Sequence, residues 1–162
     1  MSYAGGNMET SQTSELVGRC GLYCGACAIY RAERDNPEYR QRLAARFNCA
    51  PEQVRCNGCG ALTSNCWGWD CKFVSCLREK GLDFCFDCPE YEGGECEKYE
   101  KFALAYLNED GVDLQANNDM IRSGRMAEWL EESRRRYRCA HCSGPIVAGT
   151  KKCHHCGQAV RG

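Results

Sequence analysis

Apolar residues along this chain form short stripes separated by cysteine-bearing loops, and the stripes have helical spacing. In NPEYRQRLAARF, residues 36–47, Asn36 stands where an N-cap belongs and Pro37 suits the first helical position. Leu43 and Phe47 lie four apart, on one face. CKFVSCLREKG, 71–81, predicts a helix over 72–80 that ends at Gly81 and carries Cys76 about one and a half turns beyond Cys71. ECEKYEKFALAYLNEDG, 95–111, has the clearest stripe, Tyr99, Phe102, Ala103 and Tyr106. NNDMIRSGRMAEWLEESRRRYR, 117–138, reads as two helical pieces broken near Gly124, with Met126, Trp129 and Leu130 as a buried face. Strand signals are scarce. PIVAGTKK, 145–152, suits a short hairpin turning at Ala148-Gly149, and no strand–helix–strand alternation is visible.

These stripes are too thin for an ordinary core. Leu, Ile, Val and Phe supply 24 of 162 residues, below the roughly 20% at which a chain normally holds together by apolar burial. Sixteen cysteines change the picture. Five Cys-x-x-Cys pairs, 24/27, 56/59, 85/88, 139/142 and 153/156, have the spacing of metal knuckles or redox pairs rather than of a disulfide framework. No apolar leader opens the first 30 residues and no run reaches about 18 apolar residues, so a cytoplasmic protein without a membrane span is expected. A structural zinc contributes on the order of 10–16 kcal/mol of apparent binding energy, against about 5–15 kcal/mol for the stability of a whole domain. The expected fold class is therefore a small metal-stabilised, mainly α protein with irregular zinc-knuckle loops and a short β-hairpin zinc ribbon at the C-terminus. The expected organisation is a flexible tail over 1–17, a cysteine-rich metal-binding module over 18–110, a helical connector over 111–137 and the ribbon over 138–162.

The ribbon carries the clearest motif. Cys139 and Cys142, then Cys153 and Cys156, can each bite one ion from a tight turn and together complete a tetrahedron. Gly144 and Gly157 follow the turns, where the backbone must bend. His141, His154 and His155 can replace a sulfur, but four thiolates already satisfy an ion, and exposed polar filler is the expectation for them. The net charge of −1 hides an asymmetry: from Ser133 to Gly162 there are seven basic residues and no acidic one. Nucleic acid is one reading of that segment. The other is that Arg134, Arg135 and Arg136 close a helix, where cations favour the negative end of its dipole.

In the main module Cys20, Cys24, Cys27, Cys49, Cys56, Cys59, Cys66, Cys71, Cys76, Cys85, Cys88 and Cys96 occur without a histidine. Sites there are expected to be built from sulfur, which selects zinc or iron–sulfur, and catalysis by a free thiol lacks an imidazole base. Cys49, outside the paired pattern, is the expected spare thiol. Trp67 and Trp69 are expected to pack over a metal site rather than to form a binding surface. Cys20-x3-Cys24-x2-Cys27 has the cysteine spacing of radical S-adenosylmethionine enzymes and GGE at 93–95 echoes their cofactor motif, yet the alternating strands and helices of their barrel are absent from the pattern. Cys88-Pro89 is similar to the Cys-Pro that closes a ferredoxin run, and keeps an iron–sulfur role as runner-up to zinc.

CGLYCGAC at 20–27, CNGC at 56–59, the series Cys66, Cys71 and Cys76, and CFDCPEYEGGEC at 85–96 resemble a cysteine-rich prokaryotic family catalogued as a domain of unknown function, number thirty-seven ninety-five. The likeness covers about residues 18–108, and longer members continue with a helix like 120–139 and a ribbon. The resemblance implies several zinc ions per chain, held by all the main-module cysteines except Cys49, and it supplies no reaction. Spacing leaves the pairing open. The expected function is a zinc-binding, non-enzymatic interaction module with structural four-cysteine sites and a protein partner. The alternatives are an iron–sulfur or thiol redox protein and a nucleic-acid-binding ribbon protein.

Overall fold

A computed structural model describes residues 14–160. The first 13 residues, most of the expected tail, and Arg161 lie outside the described residues. The α-helices named among the described residues are α1 (Ala28–Asp35), α2 (Pro37–Arg46), α3 (Lys72–Lys80), α4 (Pro89–Glu92), α5 (Glu97–Asp110), α6 (Leu114–Arg122) and α7 (Met126–Arg136). Short 3-10 turns mark the knuckles, at Cys24–Ala26, Cys59–Ala61 and Cys85–Asp87. Among the described residues no helix is long and apolar enough to cross a membrane.

The helix signals act as the sequence implies. The Asn36 side chain accepts from the amides of Glu38 and Tyr39 at 2.9 and 3.1 Å, and Pro37 opens α2. Gly81 ends α3 with φ +67°, a left-handed conformation that costs glycine little. Arg125 lies at the break between α6 and α7. Phe47 departs from its expected face. It sits past the last turn of α2, is 41% exposed, and packs with its ring tilted 40° against Trp67, centroids 5.0 Å apart.

The core is divided. One cluster joins α1 and α2 through Ile29, Ala32, Leu43 and Ala44, with Val54, Cys56 and Cys66. A second joins α3 and α5 through Phe73, Leu77, Tyr99 and Ala103, around Cys20 and Cys85. A third joins α6 and α7 through Ile121, Trp129 and Leu130, onto Val17 and Phe86, with Met120 and Met126 packed against it and no cysteine. The fourth is Ile146 with Cys139 and Cys153. A buried polar chain ties the second cluster to α6. Asn118 donates to the Tyr99 hydroxyl at 2.8 Å, and that hydroxyl donates to the Cys20 carbonyl at 3.0 Å. Burial, the largest influence, holds the Tyr99 phenol well above its ordinary range, so it stays a donor.

The C-terminal segment corrects the expected hairpin. A turn does form at Ala148-Gly149, but no β-strand occurs among the described residues, so there is no β-hairpin ribbon. The isolated bridges run Arg138 to Pro145 and Lys152 to Ala159, each within its own knuckle. Each knuckle satisfies its backbone locally, and the amide of Ala148, at the turn, donates instead to the Ala26 carbonyl at 2.9 Å.

Candidate metal centres

All sixteen cysteines are free thiols. They gather in different ways.

The terminal four are built by two copies of one turn, 14 residues apart. In the first, the Ser143 amide donates to the Cys139 carbonyl at 2.9 Å and the Cys139 amide to the Gly144 carbonyl at 2.8 Å. In the second, Gly157 donates to Cys153 and Cys153 to Gln158, both at 2.9 Å. The left-handed position is Ser143 in one (φ +62°) and Gly157 in the other (φ +73°), so the first bend falls one residue before Gly144. The turns aim backbone amides at sulfur: His141 N lies 3.4 Å from Cys139 Sγ and His155 N lies 3.4 Å from Cys153 Sγ. The amides of Cys142 and His141 pull the Cys139 thiol down to about 6, as oriented donors favour a thiolate.

Across the two turns Cys139 Sγ stands 3.7 Å from Cys156 Sγ, and Cys142 Sγ 3.8 Å from Cys153 Sγ. A tetrahedron with metal–sulfur bonds of about 2.3 Å has edges of about 3.8 Å. All four sulfurs lie within 4.8 Å of one another. The set therefore has the size and donor chemistry of a single metal ion.

The main-module cysteines are looser. Cys76 on α3, Cys85, Cys88 before α4, and Cys96 before α5 line one cavity with Phe73 and Tyr99. Among the described residues only the terminal set and Asp35, His154 and His155 bring three or more donors within 4.8 Å, so no three of these four sulfurs are that close. Two lysines edge the cavity. Lys80 Nζ donates to Cys88 Sγ at 3.3 Å and to Glu90 at 3.0 Å, and Lys98 is held above its ordinary range chiefly by its hydrogen bond to Cys76. Burial pushes the Cys85 thiol up to about 12, with Cys96 and Cys76 adding to the shift.

Other predicted residues form smaller associations. The Cys59 amide donates to Cys24 Sγ at 3.3 Å, and the Cys24 thiol holds Cys59 down at about 7. Burial chiefly raises the Cys20 and Cys27 thiols, and the nearby charge of Cys59 adds to both shifts. The Glu15 carbonyl presses on this knuckle: a Cβ on Gly58, at φ +93°, would meet it at 2.2 Å, so only glycine fits. Cys56 and Cys66 are both buried in the first core cluster. Cys71 is exposed, and Cys49 packs half-buried against that same cluster. Trp67 is 40% exposed, and Trp69 lies under the Arg78 guanidinium at 4.2 Å.

One histidine expectation is overturned. The His154 side chain is 5% exposed, stacks on Tyr39 at 5.2 Å, and meets Asp35 at 2.9 Å. A partner 119 residues away leaves no local pattern, so spacing alone gives no sign of it. The charge of α7 is also engaged. Arg134 and Arg135 each lie 3.8 Å from Glu131, and Arg136 donates to the Gly111 carbonyl at the end of α5.

The family profile of DUF3795, described as a protein of unknown function, matches residues 16–101. No curated protein and no solved structure matches the chain. The matched span takes in every cysteine from Cys20 to Cys96, leaves the terminal knuckles beyond it, and covers more than half of the sequence, so this chain belongs to the DUF3795 family.

Proposed function

We propose that the chain is a metal–thiolate protein in which Cys139, Cys142, Cys153 and Cys156 hold a structural zinc, and that it serves as a non-enzymatic module presenting its surface to a protein partner. The observation that carries the reading is the 3.7 and 3.8 Å sulfur separations across two matched turns. Four thiolates around a closed tetrahedral ion leave no open position for substrate, which favours a structural over a catalytic role. Elemental analysis of protein purified under reducing conditions tests it. Zinc is expected, and Cys142→Ser is expected to lose about one ion per chain. Full retention of zinc in that variant contradicts the assignment.

A second reading is favoured at the cavity of Cys76, Cys85, Cys88 and Cys96. Their wider spread suits a cluster, in which irons and inorganic sulfides separate the cysteine sulfurs. Lys80 and Lys98 offer hydrogen bonds to the sulfurs, which with burial tune a cluster's potential. On this reading the main module carries electrons. Anaerobic purification decides it: iron with acid-labile sulfide supports the cluster, and a colourless protein with zinc at every site contradicts it.

A further inference from the structure

We propose that Asp35, His154 and His155 form a second cation site of a different chemical class, one that fastens the terminal knuckles to α1. This goes beyond the thiolate reading, because its donors are two imidazoles and a carboxylate. Asp35 is the last residue of α1. His154 and His155 occupy the tip of the second knuckle, between Cys153 and Cys156.

The geometry is convergent. His154 Nε2 lies 2.9 Å and His155 Nε2 lies 3.3 Å from the same atom, Asp35 Oδ2. The three donor atoms fall within 4.8 Å of one another. A carboxylate offers about four lone-pair positions over two oxygens, so two simple hydrogen bonds have no need to share one oxygen. Adjacent donors around a tetrahedral ion with bonds of about 2.0–2.1 Å stand about 3.3 Å apart, close to what is seen. The imidazoles are also fixed in place. His154 is clamped between Tyr39 and His155, with ring centroids at 5.2 and 4.2 Å, and its Nδ1 is buried without a partner. Its polar function therefore rests on Nε2. Arg31 Nε stands 3.7 Å from Asp35 Oδ2, beyond hydrogen-bond reach, and supplies the rival arrangement, a metal-free ion pair.

Two nitrogens and one carboxylate oxygen suit a borderline divalent cation, zinc above magnesium or calcium. Three protein donors leave a tetrahedral ion one position for water. The side chains are 5%, 11% and 30% exposed for His154, Asp35 and His155, so that position opens on the His155 side.

The test uses the full chain with its thiolate sites already filled with zinc. Cobalt(II) titrated into this protein is expected to give visible d–d bands without the intense near-ultraviolet sulfur-to-cobalt band, because sulfur takes no part. His155→Gln, at the most exposed donor, is expected to abolish those bands and, when both proteins are instead saturated with zinc at every site, to lower the zinc content by about one ion per chain while helical circular dichroism stays unchanged. If the unmodified chain yields no sulfur-free cobalt signal at saturation, or if His155→Gln carries as much zinc as the parent, Asp35 and the histidines are a hydrogen-bonded latch and the proposal is overturned.

Discussion

The terminal knuckles and the α6–α7 pair lie close together in sequence and are held by opposite means. The knuckles bury one aliphatic side chain, Ile146, with two cysteines. The helix pair buries Ile121, Trp129 and Leu130 against Val17 and Phe86, with no cysteine in the cluster. Tyr23 links the two regions, edge-on to Trp129 and stacked on Tyr137, both near 6 Å. A chain poor in aliphatic residues therefore does not build every cluster around cysteine. It concentrates aromatic packing where helices can present a face, and gathers cysteines able to hold a metal in turns too short to have one.

That contrast gives a ranked set of expectations. Stripping metal from reduced protein should have the largest effect, because a structural zinc is worth on the order of 10–16 kcal/mol. The knuckle amides of Cys139 and Cys153 should lose hydrogen-exchange protection altogether. Cys85→Ser should come next, removing whatever the second cluster's cavity binds and leaving the terminal zinc in place, as read by elemental analysis. Trp129→Ala should cost about 3–5 kcal/mol in the cysteine-free cluster without changing metal content. Denaturant unfolding with parallel metal counts distinguishes this from a coordination defect. Tyr99→Phe removes a hydroxyl that serves both Asn118 and the Cys20 carbonyl, and should cost about 1–3 kcal/mol by leaving buried groups unpaired. Asn36→Ala should be the mildest, about 1 kcal/mol for a lost N-cap, visible as a small drop in Tm.

The sequence was most readable where one residue type settles the local conformation. Asn36-Pro37, Gly81 and the Tyr99 stripe placed α2, α3 and α5, and Gly124 marked the break before α7. Helix α1 went unread because it starts directly from Cys27 with no side-chain cap and buries little beyond Ile29 and Ala32. PIVAGTKK suits a hairpin by residue type, whereas in the structure the carbonyls that pair belong to each knuckle's own turn. The gathering of Cys139, Cys142, Cys153 and Cys156 follows from spacing, since Cys-x-x-Cys closes a turn locally. The gathering of Cys76, Cys85, Cys88 and Cys96 depends on how α3, α4 and α5 pack, and the meeting of His154 with Asp35 on how the knuckle docks. Neither has a local signature.

The account rests most heavily on coordination at the terminal knuckles, and hydrogen exchange of the zinc-loaded full chain carrying Cys142→Ser tests it most directly. Cys142 is exposed and outside the packed clusters, so its loss removes a ligand with little effect on the helices. The predicted result is loss of protection at Cys139, Cys153 and Gly157 while Trp129, whose amide bonds the Arg125 carbonyl at 3.0 Å, keeps its own. Unchanged protection throughout the knuckles would contradict the claim.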